Sequence, residues 1–354
     1  MRGGDDVLTE RDQDRQSEER PGRVTILDVA AAAGVSKSTV SRILDERLPR
    51  SDSPTARRVR QVAADLGYTR DATAASLRRG KSLTVGVIVP RLTDTVMAML
   101  YEAIAHASVR TGQFAIVATT DDEPGADRIA AESLLRRGVD GLILSTARAE
   151  DDFPDQLAAR GVPFVLALRS DGKSLSSVAD DRLGGYLATR HLIDLGHRRI
   201  GLIAGPGYAS SSRGRAAGYR EAMAEAGLPV APDWVIPSSF GIDSGAEAAE
   251  ALMRLDPPPT AIFAVNDNTA IGALSTIGRL GLSVPEDVSL VGYNDIPIVS
   301  RLPAPLTSVR VPFDQIATAA LELLASEPAL PRERFRVATP TLIPRRSSVA
   351  PRPD

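Results

Sequence analysis

The sequence contains no cysteine, only three histidines and no long apolar run among its 354 residues. The absence of cysteine excludes a disulfide framework, a thiolate metal site and a cysteine nucleophile. No apolar run approaches the roughly 20 residues that a membrane-crossing helix requires. Residues 1–23 are polar, lack the apolar segment of a secretory signal and show no periodicity. We therefore expect a cytoplasmic protein with a disordered N-terminal extension.

The sequence also lacks a catalytic or metal-binding constellation. His106, His191 and His197 do not have the spacing of metal ligands, and the last two lie around a predicted helix end, where packing or capping explains them. Residues 205–214, GPGYASSSRG, resemble a phosphate-binding loop but lack its Lys-Ser/Thr ending, which argues against nucleotide hydrolysis. We expect no enzymatic activity, no metal and no cofactor.

The composition is that of an ordinary globular protein, with 43% hydrophobic and 25% charged residues and enough length for two or three domains. The charge is uneven, because residues 24–80 carry ten Lys and Arg against six Asp and Glu, whereas the whole chain has a net charge of −3. A basic segment on an acidic chain indicates a polyanionic partner at one end. An incidental surface fluctuation is the alternative explanation of this count.

Three short helices are predicted within the basic segment. The first spans about Ile26–Ala33 and opens with Thr25 and Asp28 at the spacing of a capping box. The second covers residues 36–44, SKSTVSRIL, and the third lies within residues 53–68, SPTARRVRQVAADLGY, where apolar side chains recur at helical spacing.

From Leu83 onward, short Val-, Ile- and Leu-rich runs alternate with helical segments. Such runs predict parallel sheets covered by helices on both faces. Their number favours two doubly wound lobes. A closed barrel of eight repeats is the alternative, but the irregular spacing fits it less well. The strand candidates are LTVGVIV, FAIVA, GLILS, PFVLAL, RIGLIAG, TAIFAV and VSLVGY.

The first two helices, separated by a turn at Gly34, predict a helix-turn-helix. Ser36 stands at the N-cap of the second helix, so the free N–H groups and the positive dipole end can dock a phosphate. Val40 lies on the face directed to the core, whereas Ser38 and Arg42, four residues apart, share a face suited to base contacts. An ordinary capped helix is the alternative interpretation.

The segment VTILDVAAAAGVSKSTVSRILD, residues 24–45, resembles the N-terminal signature of the LacI/GalR family of bacterial transcriptional regulators, and the resemblance continues to about Ser348. It implies an α/β fold with a three-helix helix-turn-helix headpiece, a hinge helix and a two-lobed body like that of periplasmic binding proteins. Further matching segments are LGY, GVIVP, VDGLIL, HLIDLGHRRIGLIAGP, RAAGYREAMAEAGL, AVNDNTAIGAL, VPEDVSLVGYNDIP and PLTSVRVP.

The resemblance also implies a domain division. The expected boundaries are 24–70 for the DNA-binding domain, 71–82 for the hinge helix and linker, 83–348 for the effector-binding and dimerisation domain, and 349–354 for a tail. Within the third domain, the first lobe is expected at about 83–180 and 309–333, and the second at about 181–308 and 334–348.

In the family the second helix lies in the major groove of DNA, and the hinge helix enters the minor groove. Leu77 matches the leucine that wedges into the central base step, and Ala74 matches a residue that packs against the partner's hinge. The implied base contacts are Lys37, Ser38 and Arg42, and the implied phosphate contacts are Ser36, Thr39 and Ser41.

The implied effector lies in the cleft between the lobes, at the carboxyl ends of the strands. Arg215 is suited to a carboxylate, a phosphate or vicinal hydroxyls, Phe240 to stacking on a ring, and Asn266 to both donating and accepting hydrogen bonds. A polar residue that only satisfies a loop is the alternative at each position. The implied effector contacts are Asp94, Leu168, Arg215, Phe240, Asn266 and Asn294.

Several positions depart from the family pattern. Leu168 and Asn294 stand where carboxylates are common, and PRLTDTVM at residues 90–97 replaces an aromatic segment, which puts the usual sugar effector in doubt, although Asp94 could substitute. The loop DERLPRSDSP is about one residue longer than usual. In the DNA-binding part, Arg70 and Asp71 replace Pro-Asn and Asp45 replaces Asn; our hypothesis is that Arg47, Arg50 and Arg70 compensate for the added acids.

We therefore interpret the chain as a sequence-specific DNA-binding regulator, a repressor controlled by a sugar or sugar derivative. The resemblance implies a homodimer on a pseudo-palindromic operator, with an interface on helices beginning near Ala98 and Thr269, and no helical-bundle tetramer. Activation or co-repression within the same family is one alternative. A transport-type binding protein is the other, but it would have a signal peptide and no headpiece.

Overall fold

The computed structural model describes residues 24–45, 49–68, 82–326 and 334–352. The predicted N-terminal extension and Leu77 therefore lie outside the described residues. The chain divides into two compact units, Met1–Arg79 and Gly80–Asp354. We call the described part of the first unit the headpiece and that of the second unit the body.

The headpiece contains the three predicted helices: α1 (Ile26–Ala33), α2 (Lys37–Ile43) and α3 (Pro54–Asp65). Thr25 and Asp28 form the predicted capping box at the start of α1. Gly34 ends α1 in the left-handed region, with a φ of 63°, which confirms the predicted turn. The small core contains Val29, Ala30, Ala33, Val40, Val59 and Ala63.

The first lobe of the body is a six-stranded parallel sheet in the order β11-β5-β4-β3-β1-β2. Its strands are β1 (Thr84–Val89), β2 (Phe114–Thr119), β3 (Gly141–Leu144), β4 (Phe164–Ala167), β5 (Ser176–Ala179) and β11 (Phe335–Ala338). Its helices are α4 (Thr95–Arg110), α5 (Ala126–Arg136), α6 (Phe153–Ala159) and α11 (Phe313–Ala325). Separate apolar clusters cover the two sheet faces, as predicted for buried parallel strands.

The second lobe is also a six-stranded sheet, in the order β12-β10-β9-β8-β6-β7, with only β12 antiparallel to its neighbour. Its strands are β6 (Ile200–Ala204), β7 (Val235–Pro237), β8 (Ala261–Ala264), β9 (Ser289–Asn294), β10 (Thr307–Arg310) and β12 (Thr341–Ile343). Its α-helices are α7 (Asp181–Asp194), α8 (Ser210–Glu225), α9 (Ile242–Met253) and α10 (Asp267–Arg279), with short 3-10 helices at Pro232–Trp234 and Pro297–Arg301. Two open sheets rule out the barrel alternative.

The chain crosses between the lobes three times, after β5, after β10 and after β11. These crossings correct the expected lobe boundaries, because β11 belongs to the first sheet, whereas the resemblance implies that residues 334–348 belong to the second lobe. Likewise β10 pairs with β9 of the second sheet through Arg310, beyond the expected boundary at 309. Since β11 is an edge strand with two exposed residues, it has no apolar run from which to predict it.

Helices α7 and α8 of the second lobe pack at very short range. A Cβ at Gly185 would lie 2.1 Å from the carbonyl oxygen of Arg215, so only glycine fits at this crossing. The close packing fixes the start of α8, and with it the position of Arg215 at the inter-lobe cleft. No helix in the described part of the chain is long and apolar enough to cross a membrane.

Candidate functional site

The N-terminus of α2 is organised by Ser36, which is its N-cap residue, as predicted. The Ser36 hydroxyl accepts a hydrogen bond from the backbone N–H of Thr39 at 3.2 Å. It also lies 2.8 Å from the hydroxyl oxygens of Ser38 and of Thr39. The result is a cluster of three hydroxyls around the positive end of the helix, which is an arrangement suited to a phosphate.

The polar residues of α2 lie on the opposite side of the helix from its core contact. Val40 is fully buried in the headpiece core. Ser36, Lys37, Ser38 and Arg42 are exposed, and Thr39 and Ser41 are half-buried. The helix therefore presents hydroxyls and cations to solvent, as the sequence pattern predicts. Leu77, Ala74, Arg70, Asp71 and Arg47 lie outside the described residues, and their predicted roles remain predictions.

The body contains a cleft of about 540 Å³ between its two lobes. The lining comes from loops at the carboxyl ends of strands in both sheets, which is where ligands bind in open parallel sheets. The structure brings together all six predicted effector contacts in the lining: Asp94, Leu168, Arg215, Phe240, Asn266 and Asn294.

Asp94 links the first lobe to the second at the cleft. Its carboxylate caps α4 by accepting a hydrogen bond from the backbone N–H of Val96 at 3.0 Å. The same oxygen accepts a hydrogen bond from Nδ2 of Asn268, which belongs to the second lobe, at 3.2 Å. Burial raises the pKa of Asp94 in spite of these hydrogen bonds.

Arg215 is buried in the second lobe, with 5% of its surface exposed. Its Nε donates to Oδ1 of Asp181 at 2.8 Å, and Nη1 donates to the carbonyl oxygen of Val265 at 2.9 Å. Its guanidinium lies 3.7 Å from the ring centroid of Tyr293. Because Nε is paired with Asp181, the Arg215 charge is compensated by the protein itself. Only the Nη hydrogens that are not bonded to Val265 remain for a ligand.

Asn266 has a structural role as the N-cap of α10. Its Oδ1 accepts from the backbone N–H of Thr269 at 2.8 Å, and its Nδ2 donates to the carbonyl oxygen of Phe240 at 3.0 Å. The second bond fixes the backbone of the predicted stacking residue. Leu168 follows β4, and Asn294 is the last residue of β9. Their φ values of 63° and 102° turn the following loops toward the cleft.

The sequence interpretation missed a charged cluster in the same cleft. Arg169, 4% exposed, donates from Nη1 and Nη2 to the two carboxylate oxygens of Asp122, at 3.1 and 3.4 Å. Arg148 lies 3.5 Å from Asp122, and the Tyr208 hydroxyl donates to it at 2.7 Å. Asp122, Arg148, Arg169 and Tyr208 follow β2, β3, β4 and β6, in that order. Their positions a few residues after predicted strands were the available signal.

A further missed group is Asp267, the first residue of α10 and fully buried. It accepts hydrogen bonds from the Ser308 hydroxyl at 2.7 Å and from the backbone N–H of Ile296 at 2.8 Å. Burial raises the pKa of Asp267 to about 7, and these hydrogen bonds only partly offset it.

Two of the three histidines, His191 and His197, contact the last described residues of the second lobe. His191 Nε2 lies 2.8 Å from the Ser348 hydroxyl, and His197 lies 2.9 Å from the Thr260 hydroxyl and 2.8 Å from the Val349 carbonyl oxygen. Burial lowers the pKa of both rings. Among the described residues, no group of histidine and acidic side chains has the geometry of a metal site.

Two family models match the chain. Residues 25–71 match the model of bacterial regulatory proteins of the lacI family, and residues 189–348 match a periplasmic binding protein-like domain. The first match covers the headpiece helices, and the second covers most of the second lobe and the crossings near its end.

Similar proteins cover nearly the whole chain. The HTH-type transcriptional repressor PurR of Photobacterium profundum is 33% identical over 85% of this chain and 90% of its own length. The ribose operon repressor of Haemophilus influenzae is 32% identical over 91% of this chain and 98% of its own length. Both relatives are transcriptional repressors rather than enzymes.

Solved structures with the same fold include DNA and sugar complexes. A lac repressor dimer bound to operator and an anti-inducer has a TM-score of 0.80 at 28% identity, with 92% of this chain and 99% of that chain covered. A complex of the transcriptional regulator CelR with cellobiose has a TM-score of 0.70 at 30% identity, covering 92% of this chain and 100% of that chain.

Proposed function

Since the chain belongs to the LacI family of bacterial regulatory proteins and is a DNA-binding transcriptional regulator, we propose that it is a repressor controlled by a carbohydrate-like effector in the inter-lobe cleft. The observation that carries this proposal is that polar side chains of both lobes line the cleft. A ligand bound there contacts both lobes and therefore changes the relative free energies of the lobe arrangements.

The surface of α2 supports the operator-binding part of the proposal. We assign base contacts to Lys37, Ser38 and Arg42, which are exposed beyond the buried Val40. We assign phosphate contacts to Ser36, Thr39 and Ser41, around the N-terminus of the helix. The resemblance adds Leu77 as the minor-groove wedge of the hinge.

The charge balance of the cleft favours a neutral polyhydroxyl ligand. Arg169 and Arg215 are each bonded to a carboxylate of the protein, so neither offers an uncompensated charge to an anion. The other charged residues of the lining are one cation, Arg91, and two carboxylates, Asp94 and Asp243. The lining therefore has no excess of cations, and its amides, several hydroxyls and the ring of Phe240 are typical of sugar recognition. Two similar proteins carry a sugar in their names, ribose and cellobiose.

We further propose a homodimer that reads a pseudo-palindromic operator, because a half-site reader requires a symmetric partner. The interface assigned by resemblance is on α4 and α10, which begin at Thr95 and Asp267. A cytoplasmic location follows from operator binding. Because effector and operator bind the same protein, each changes the affinity of the other by the same factor.

The proposal is tested in two steps. A thermal-shift screen of the full chain against neutral sugars, sugar phosphates, nucleosides and organic acids identifies the ligand, since binding to the folded state raises the melting temperature. Selection from a random DNA library then defines the operator, and titration with and without the ligand measures the coupling. A neutral sugar that alters operator affinity supports the proposal, whereas a ligand of another class overturns the carbohydrate assignment.

A further inference from the structure

The segment after β6, residues 205–214, consists of a short loop and the first turn of α8, and it contacts the first lobe. The carbonyl oxygen of Tyr208 accepts a hydrogen bond from the backbone N–H of Ala149 at 3.0 Å. Two residues later, the Ser210 hydroxyl accepts from the backbone N–H of Ser170 at 2.8 Å. Both donors belong to the first lobe, so this loop is bonded across the cleft rather than arranged around a phosphate.

The Tyr208 side chain is bonded to the first lobe as well. Its hydroxyl donates to Oδ2 of Asp122 at 2.7 Å. The Arg148 guanidinium lies 3.9 Å from its ring centroid, and that of Arg169 lies 5.6 Å away, both within the range of a cation–π interaction. The hydroxyl, the carbonyl and the ring of one second-lobe residue therefore all have partners in the first lobe.

The first-lobe partners form a compact charged unit. Asp122 is bonded to Arg169 and lies 3.5 Å from a nitrogen of Arg148, so two guanidiniums hold one carboxylate in place for the Tyr208 hydroxyl. Arg169 also lies 5.5 Å from the ring centroid of Phe240, the predicted stacking residue of the second lobe. The unit therefore connects the contact between the lobes to the wall of the effector cleft.

We propose that Asp122, Arg148, Arg169 and Tyr208 form an inter-lobe clasp that stabilises the closed arrangement of the lobes and thereby sets the affinity for the effector. Three of its residues, Asp122, Arg169 and Tyr208, line the cleft, but none is among the six predicted effector contacts. Its bonds are made between groups of the protein itself, so their contribution to the free energy of closure adds to that of the effector. Removing the clasp then lowers the closed fraction and weakens effector binding by the same factor.

The consequence for effector affinity rests on the proposed function, whereas the closure of the lobes does not. Lobe closure is therefore measured first and without any ligand. Because the chain has no cysteine, two substitutions suffice for spin labelling, Ala158→Cys on α6 and Ala224→Cys on α8. Both alanines are exposed, one on each lobe. Pulsed electron–electron double resonance on the full chain then reports the distribution of inter-lobe distances.

The test variant is Tyr208→Phe, and the matched control is Tyr186→Phe. The Tyr186 hydroxyl also donates to a carboxylate at 2.7 Å, that of Glu225, but both residues belong to the second lobe. The loss of one hydrogen bond to a charged group corresponds to about a tenfold decrease in the ratio of closed to open molecules. We expect the closed-to-open ratio to fall by about this factor with Tyr208→Phe and with Asp122→Asn. With Tyr186→Phe we expect the distance distribution of the parent protein.

Two results would overturn the clasp. One is a labelled parent protein that is mainly open without ligand. The other is a distance distribution for Tyr208→Phe and Asp122→Asn that matches that of Tyr186→Phe. Failure of every carbohydrate to bind would instead contradict the proposed effector class and leave the distance result standing.

Discussion

Lys37 and Arg42 of α2 are exposed at the surface of the headpiece, whereas Arg169 and Arg215 of the cleft are buried and each is bonded to a carboxylate. The difference follows from the ligand that each region is proposed to take. A DNA phosphate is negatively charged, so its interaction with exposed cations is electrostatically favourable. A neutral ligand cannot compensate a buried cation, so the protein must do so itself.

The comparison predicts its largest effect at Arg215. Arg215→Ala removes the partner of Asp181 and leaves a buried carboxylate without its cation, which lowers the unfolding free energy of the body by about 3–5 kcal/mol. Arg213→Ala, on the exposed side of the same helix, is the control and changes it by less than about 0.5 kcal/mol. Urea denaturation of the full chain measures both; equal effects would contradict the pairing argument.

The next effect is a pH dependence that comes from Asp267 in the cleft region. Burial raises the pKa of Asp267 to about 7, so the folded state keeps a proton that an unfolded aspartate, with a pKa of about 3.9, has lost. The unfolding free energy therefore falls as the pH rises from about 4 to about 7, by up to about 1.4 kcal/mol per pH unit.

Asp267→Asn removes this titration while preserving the shape of the side chain, and the amide can still bond to Ser308 and Ile296. We expect the pH dependence of the unfolding free energy between pH 5 and 7 to become flatter by roughly that slope. Denaturation curves at several pH values make the comparison. An unchanged slope in the variant would assign the pH dependence to other groups.

On α2 the expected effect is on specificity rather than on stability. Arg42→Ala removes a proposed base contact and lowers operator affinity by about 1–3 kcal/mol while relaxing one position of the selected sequence. Arg58→Ala removes an exposed charge from α3 and serves as the control, with a preserved sequence preference. Parallel selections from a random DNA library compare them, and an unaltered motif for Arg42→Ala would remove it from the base contacts.

The same two regions differ in what the sequence could predict. The headpiece features lie within a few consecutive residues, so the capping box at Thr25, the turn at Gly34 and the buried Val40 were all predicted from local spacing. Of the sheets, the seven apolar strands were predicted and correspond to β1–β4, β6, β8 and β9. The polar or short strands β5, β7, β10, β11 and β12 lack an apolar run and were missed.

In the cleft, the six implied contacts come together, but their partners could not be predicted. Asp122 and Arg169 are 47 residues apart, and Tyr208 is 86 residues from Asp122. Only the folding of both sheets brings these residues together, and nothing in the local pattern states that Arg169 is paired. In the structure, the charge of Arg169, which the sequence alone would leave available to a ligand, is already compensated by Asp122.

The smallest effect distinguishes two caps in the headpiece. Ser36 caps α2 and Ser53 caps α3, each accepting a backbone N–H at 3.2 Å from the third residue along. Either Ser→Ala substitution therefore lowers headpiece stability by about 1 kcal/mol, measured by hydrogen exchange in the full chain. Only Ser36→Ala is expected to weaken DNA binding further, because its hydroxyl is part of the proposed phosphate contact. Equal DNA affinity for the two variants would mean that the α2 hydroxyls serve the helix and not the DNA.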